Sequence, residues 1–523
     1  MSKKSILIIA SNVTRDASTT KWLHPSIGIY RIAGYLKKNG HSAECYDVGL
    51  HTATKNGLSL EEKILEHDWD IIAFSVLEES LAEDIAAMHM AERLRPDALQ
   101  VAGGIEAQYN YQTILDKSPC NICVLGEGEH PMLGIADGKP LHEIAGVVFR
   151  NDAKPMTQDE FWEVTEATRY EEIPYEDYWD HYVALYGNDL NDDNLETIHT
   201  VRIFTRNYCP VGCKFCVSTN QLSDAAGVKK VNVVDIIDDR LVELVKRVVE
   251  SQPRVKTIYF TDDDFCLNLR KVQQFCRQLI DLKLDVSFIC FSRADRLDEE
   301  TISLMAKAGF RVINTGLESF SEETWKEYGS KYTKKGGRER IIRNLDLLKK
   351  YGVTPFVSVI LCSPEGKLSD VELTAAKLVD YLDDGGFEAG VNVSVQPFKG
   401  SYYYEHCHEF ESEIVPVPDS KHTIRKDYFI RARDPEVREL QYRFLERYPQ
   451  KIKSLHESGQ VMHATSSAQA RFKLALILEL VEELKGERKN KNLNSEKESV
   501  LRNAGRGVTA IHQLDNFRSG SAL

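Results

Sequence analysis

The sequence predicts an α/β protein with two parallel-sheet domains and a helical end, and three observations predict it. Short apolar runs alternate with amphipathic helical stretches over residues 1–150. Six further strand-like runs, each leading into helical sequence, recur over 200–400, and from Asp434 to Leu484 the apolar residues fall into a helical period. The first block reads as a doubly wound, Rossmann-like domain, the second as a partial (β/α)6 barrel and the third, 401–485, as a small helical domain before a polar tail at 486–523. A chain of 523 residues is long enough for two or three such cores.

In the first block the Ile-rich run 5–10 has the continuous apolar character of a strand buried on both faces. A helical pattern through Ile27, Ile32 and Leu36 then stops at Asn39-Gly40. The alternation continues with the strand 42–46 leading to Asp47, the strand 70–75, a helix over 81–94, the strand 99–102 and the strand 122–124. Gly103 and Gly104 follow one strand and Gly126 and Gly128 another. There they either let the backbone approach a ligand at the carboxyl edge of the sheet or make a plain turn.

Residues 151–199 read as an acidic linker. Between 151 and 200 there are fourteen Asp or Glu against only Lys154 and Arg169, and the aromatic stretch 173–179 lacks a clear period. The expectation is a solvated connector that buries a few rings at a domain seam.

In the second block the strand-like runs are 200–204, 257–260, 286–290, 311–314, 354–361 and 391–395. A barrel of such units carries its site at the carboxyl ends of the strands. The helical C-terminal block is expected to act as a lid that shapes the substrate pocket.

The most informative stretch follows the first barrel strand. Cys209, Cys213 and Cys216, with three and then two residues between them, supply three thiolates, enough to hold three irons of a cubane cluster and leave the fourth open. Zinc wants a second closely spaced pair of ligands, and none follows at the usual distance. Disulfides are disfavoured by an odd total of eleven cysteines and by the lack of an apolar secretory signal. The other eight cysteines read as buried thiols, including Cys120 and Cys123, whose redox-pair spacing runs into a core strand.

This spacing, with Phe215 just before the third cysteine, resembles the radical S-adenosylmethionine (SAM) superfamily. The resemblance implies a [4Fe-4S] cluster whose open iron is chelated by SAM, and cleavage of SAM by one electron to a 5'-deoxyadenosyl radical. It makes cofactor candidates of the polar residues at successive strand ends. Asp262, Asp263 and Asp264 would accept from the methionyl ammonium and Arg293 would pair with a carboxylate. Glu318 and Ser319 match the family element that meets the ribose, and Gln396 matches the segment beside adenine. Cys362 stands where a glycine is usual.

Residues 1–150, through Gly28, Gly40-His41 and the four strand-end glycines, resemble the cobalamin-binding domain that precedes many radical SAM modules. The motif that gives cobalt a histidine ligand is missing, and His24 and His41 read as surface or capping residues. The implied function is hydrogen abstraction followed by cobalamin-dependent methyl transfer to an unactivated carbon. The alternatives are a radical rearrangement, cyclisation or carbon–sulfur or carbon–carbon bond formation without methyl transfer, and, last, a non-catalytic sensor.

Composition agrees with an enzyme: 42% of residues are hydrophobic and 28% charged, with a formal net charge of −14. Such a surface disfavours general nucleic-acid binding, and no apolar run is long enough to span a membrane. The expected partners are a small-molecule or peptide substrate and an electron donor such as a flavodoxin or ferredoxin, in the cytoplasm.

Overall fold

The computed structural model describes residues 3–11, 23–78, 80–147, 151–188, 195–329, 337–412, 414–416, 423–425, 429–457 and 466–489. They belong to two compact units. The first is drawn from Met1–Pro210, Val217–Asp262 and Val415–Ile424, the second from Val211–Cys216, Asp263–Ile414 and Arg425–Leu523. Nearly all of the expected polar tail lies outside the described residues.

In the first unit β1 (Ser5–Ala10), β2 (Ser42–Asp47), β3 (Ile71–Ser75), β4 (Leu99–Gly103) and β5 (Ile122–Cys123) form one sheet in the order β2-β1-β3-β4-β5. Every pairing is parallel. The order reverses at β1, as in doubly wound sheets. Ile6, Leu7 and Ile9 are completely buried, which explains why β1 reads as an unbroken apolar run. The helix Ile27–Lys38 closes at Asn39, whose N–H donates to the carbonyls of Tyr35 and Leu36, and Gly40 follows at φ +91°.

The stretch expected to be a solvated connector is folded. It holds the helices Gln158–Ala167, opened by a Thr157/Glu160 capping box, and Tyr175–Tyr186, opened behind Pro174. Tyr170, Tyr175, Tyr178 and Trp179 are almost wholly buried. The acidic residues that suggested a solvated segment lie mostly on the outward faces, and the inward face is built of aromatic rings. The first of these helices is locked to Ile27–Lys38 by Arg31. Its guanidinium donates to Glu129 (3.0 Å) and to the Thr165 hydroxyl (2.9 Å), with the Phe161 and Phe204 rings at 5.1 and 5.7 Å. Gly34 is required at this crossing, because a Cβ there would stand 2.3 Å from the carbonyl oxygen of Ala167. The unit also holds β6 (Thr200–Ile203) and β7 (Thr257–Phe260), paired in parallel from Thr200↔Thr257 to Ile203↔Phe260.

In the second unit β8 (Ser287–Phe291), β9 (Phe310–Glu318), β10 (Thr354–Cys362) and β11 (Glu388–Ser394) lie side by side in that order. The described ladders on both sides of β9 and between β10 and β11 are parallel. All six βα repeats of the sequence are therefore present as strands. The C-terminal block contributes the helices Pro435–Glu457 and Ser466–Lys489. They do not form a separate lid. Leu440, Phe444, Leu474, Ile477, Leu480 and Val481 share one core with Val371, Leu378 and Leu382 of the helix Leu368–Asp384 and with Ala389 and Val391 of β11. Ser467 Oγ accepts from the Ala389 N–H (3.0 Å) and Lys473 Nζ donates to the Val391 carbonyl (2.8 Å), which covers an otherwise open strand edge.

Replacing Arg31 by Ala strands the Glu129 carboxylate in a buried site. Chemical denaturation should show the first unit weakened by about 3–5 kcal/mol.

Candidate functional site

β6 runs out at Ile203 into the chain that carries the cysteines, and Asp262, just past the end of β7, holds that exit in place. Its carboxylate accepts from the backbone N–H of Thr205 (2.8 Å) and of Arg206 (2.7 Å) and from the Thr205 hydroxyl. Burial pushes the group up to about 6 despite these bonds and the nearby Arg206 charge. Asp262, expected to serve an amino acid ammonium, thus takes three donors from the chain itself.

Further along, Asn207 accepts from the Val234 N–H (3.0 Å) and donates to the Asn232 carbonyl (3.0 Å), while the Tyr208 hydroxyl donates to the Val231 carbonyl. Cys209 is tied at both ends of its peptide unit: its N–H donates to Ser218 Oγ (3.1 Å), and its carbonyl accepts from Thr219 Oγ1 (2.9 Å). Both partners belong to the helix Ser218–Ala226 that follows the loop.

In the other half of the loop the Cys216 N–H donates to the Cys213 carbonyl (3.0 Å), and Gly212 takes φ +76°. The Lys214 N–H donates to the Tyr328 carbonyl (2.9 Å), and Phe215 packs edge-on against the Tyr328 ring with centroids 5.1 Å apart. Lys214 Nζ sits 4.8 Å over the ring of Tyr402. Cys209, Cys213 and Cys216 are all half-buried, and no disulfide joins any of the eleven cysteines. Cys120 and Cys123 are buried, as their strand position implies.

The carboxyl end of β9 is the most unusual place in the second unit. β9 carries one residue more than β10 here, so that Gly316 pairs with Ser358 and Glu318 with Val359. Leu317, the extra residue, has its carbonyl held by Trp325 Nε1 (2.8 Å). Glu318 adopts φ +60° and is 92% buried, and among the described residues no donor or cation meets its carboxylate. Burial alone pushes it up to about 8. The polar atoms buried without a partner among the described residues include Ser292 Oγ just past β8 and the Tyr328 hydroxyl.

The remaining strand-end candidates divide. Arg293 forms a bidentate pair with Asp295 (Nε to Oδ1 3.0 Å, Nη2 to Oδ2 2.8 Å) through one edge of its guanidinium, and Nη1 takes no part in that pair. Ser319 points into the protein, where its hydroxyl shares a hydrogen bond with Thr374 (2.8 Å) and accepts from the Ser321 N–H (2.9 Å). Asp263 is exposed, Gln396 is half-buried, and Cys362 is fully buried with its thiol pushed up by desolvation.

At the carboxyl edge of the first sheet the four glycines are not equivalent. A Cβ on Gly104 (φ +94°) would meet the Val76 carbonyl oxygen at 2.7 Å. One on Gly126 would meet Ala153 and Ala225 at 3.2 Å, and one on Gly128 would meet Ile32 at 3.0 Å. Close packing within the protein explains these three. Gly103 alone faces open space. The same edge holds Asp84, fully buried and accepting from the Ser11 and Ser80 hydroxyls, with burial pushing it up to about 6. In the sequence Asp84 shows only as an acid in the first turn of a helix. His41 caps, accepting from the Lys4 N–H (3.3 Å) and facing Asp137 (3.3 Å). Burial, then the Arg202 charge, holds His24 down to about 3, so it is neutral.

The Radical SAM superfamily model matches residues 203–378, and the B12 binding domain model matches residues 17–136. The chain carries a radical SAM domain behind a B12-binding domain. Among curated relatives it is similar to the uncharacterized methyltransferase PH0819 of Pyrococcus horikoshii, 22% identical over 391 residues that make up 71% of this chain and 77% of that protein. It is also similar to the anaerobic magnesium-protoporphyrin IX monomethyl ester cyclase of Rubrivivax gelatinosus, 24% identical over 61% of this chain and 56% of the cyclase. Among solved structures, that of the radical SAM methyltransferase TsrM from Kitasatospora setae with tryptophan and a SAM analogue bound superposes with a TM-score of 0.60 at 17% identity. The alignment covers 82% of this chain and 80% of TsrM.

Glu318 gives the radical SAM domain a pH signature. Its folded value of about 8 lies above the ordinary carboxylate value, so the folded state holds the proton more tightly than the unfolded state does. Its contribution is fully present below about pH 4 and is lost as pH rises through about 8. Hydrogen exchange of the β9 amides should therefore report a local folding equilibrium that falls by up to about tenfold per pH unit between about 5 and 8. In Glu318→Gln that part of the slope should vanish.

Proposed function

We propose that the protein is a cobalamin-dependent radical SAM methyltransferase acting on an unactivated carbon of a small-molecule or peptide substrate. The observation that carries this reading is Glu318. A buried carboxylate on a bulged, left-handed strand end, with no donor among the described residues, is costly unless a ligand supplies the donors. The hydroxyl groups of a nucleoside fit that requirement, and Ser292 Oγ offers a second unused group on the neighbouring strand.

In this reading Cys209, Cys213 and Cys216 hold three irons through their thiolates and leave one iron for SAM. Phe215 shields the third thiolate, and Gln396 lines the nucleotide site. Arg293 and Asp295 brace the end of β8 rather than bind ligand. Gly103 gives the cobalamin edge room for a ligand to approach the backbone, with Asp84 and its two serines stiffening that edge. When bound, the cluster and SAM supply a radical that abstracts hydrogen, and cobalamin supplies the methyl group. The methyltransferase relatives support methyl transfer. The cyclase relative favours a second reading, in which the same radical closes a ring or forms another bond without adding carbon. A reductant of the flavodoxin or ferredoxin class, in the cytoplasm, completes the proposal, and the acidic net charge speaks against general nucleic-acid binding. Among the described residues no helix is long and apolar enough to cross a membrane.

Protein purified without oxygen from cobalamin-fed cells should carry about four irons and one cobalt per chain. The variant with Cys209, Cys213 and Cys216 all replaced by Ala should lose both iron and reductive SAM cleavage; cleavage that persists would overturn the cluster assignment. A product heavier by one CH2 supports methyl transfer, whereas a product without that gain supports the second reading.

A further inference from the structure

Tyr328 stands where two parts of the second unit meet. It follows the short helix Glu322–Glu327, itself reached directly from β9, and it is completely buried. Its backbone carbonyl accepts from the Lys214 N–H (2.9 Å), and its ring packs edge-on against Phe215 (5.1 Å) and Tyr403 (6.4 Å). Backbone and ring thus both grip the segment Cys213–Cys216. The hydroxyl does something else. It has no hydrogen-bond partner among the described residues, although a buried phenol ordinarily finds one. The groups that act on it electrostatically are Glu327 of the preceding helix, then Tyr403, then Glu318 and Cys362 at the ends of β9 and β10. Tyr403, by contrast, spends its hydroxyl on Glu327 (3.0 Å), so the vacancy at Tyr328 is specific to one of two adjoining tyrosines.

We propose that the Tyr328 hydroxyl donates a hydrogen bond to SAM at the strand-end site of Glu318, while the ring and carbonyl of the same residue position the cysteine loop. This rests on the radical SAM reading above. One residue then senses the nucleotide and holds the cluster loop, so that SAM occupancy is felt at the loop without any other element moving. Loss of the hydroxyl leaves the ring and the carbonyl in place, and the two roles are therefore separable.

The test uses the full chain, reconstituted without oxygen. Wild-type protein must first show about four irons and bind SAM; if it does not, the radical SAM reading fails before the role of Tyr328 is reached. With that established, Tyr328→Phe should keep its iron and the electron paramagnetic resonance spectrum of the reduced, SAM-free cluster. It should bind SAM about tenfold more weakly, the worth of one buried hydrogen bond, and show a smaller spectral change on SAM addition. Tyr328→Leu, which loses the ring as well, should lose iron. A SAM Kd for Tyr328→Phe within twofold of wild type overturns the proposal, as does loss of iron from Tyr328→Phe. A normal SAM Kd with weakened substrate binding also overturns it, since the donor would then serve the substrate. Pairing Tyr328→Phe with Glu318→Gln gives an internal check: losses smaller in combination than their sum support a shared ligand, and full additivity counts against it.

Discussion

The chain between β6 and the cysteines depends on one carboxylate. Asp262 gathers two backbone N–H groups and a hydroxyl from Thr205 and Arg206, and so fixes the direction in which the chain leaves the sheet. Without it each loop residue would hold back roughly 1–2 kcal/mol of backbone entropy. Under the proposed function three thiolates converge on one inorganic group, and that convergence calls for the entropy to be removed beforehand. Glu318 is the complementary case. Both carboxylates are buried and both have raised proton affinity, but one is saturated by its own chain and the other is met by no donor among the described residues. Hydrogen-bond saturation, rather than burial or proton affinity, separates a group that builds the fold from a group that waits for a ligand.

Much of this was legible in the sequence. The alternation of strands and helices, the six repeats of the second block and the cysteine spacing are periodic or local signals, and the elements appear where those signals place them. The helix expected over 81–94 is present as Leu81–Leu94. Glu318 was visible as a polar residue at a strand end. Its bulge and left-handed backbone were not, because they arise from a register shift against β10.

What the sequence left unseen shares a physical cause. Arg293 and Ser319 are the right residue types at the right strand ends, but Asp295 lies two positions away from one, and Thr374, far off in sequence, meets the other. A one-dimensional pattern cannot weigh a ligand against a partner that the fold supplies. The acidic stretch after residue 150 hid two helices for a related reason: its charges dominate the composition while its tyrosines and Trp179 make the contacts. Tyr328 carried no signal of its own, ten residues beyond Glu318 in a run of ordinary helical sequence.

The helix Ser466–Lys489 seals β11, and during synthesis it emerges long after the strand it covers. Until then the nascent chain presents a bare sheet edge and an apolar core that lacks the face of this helix. Docking of that helix is therefore the step that completes the second unit's core and closes its sheet edge.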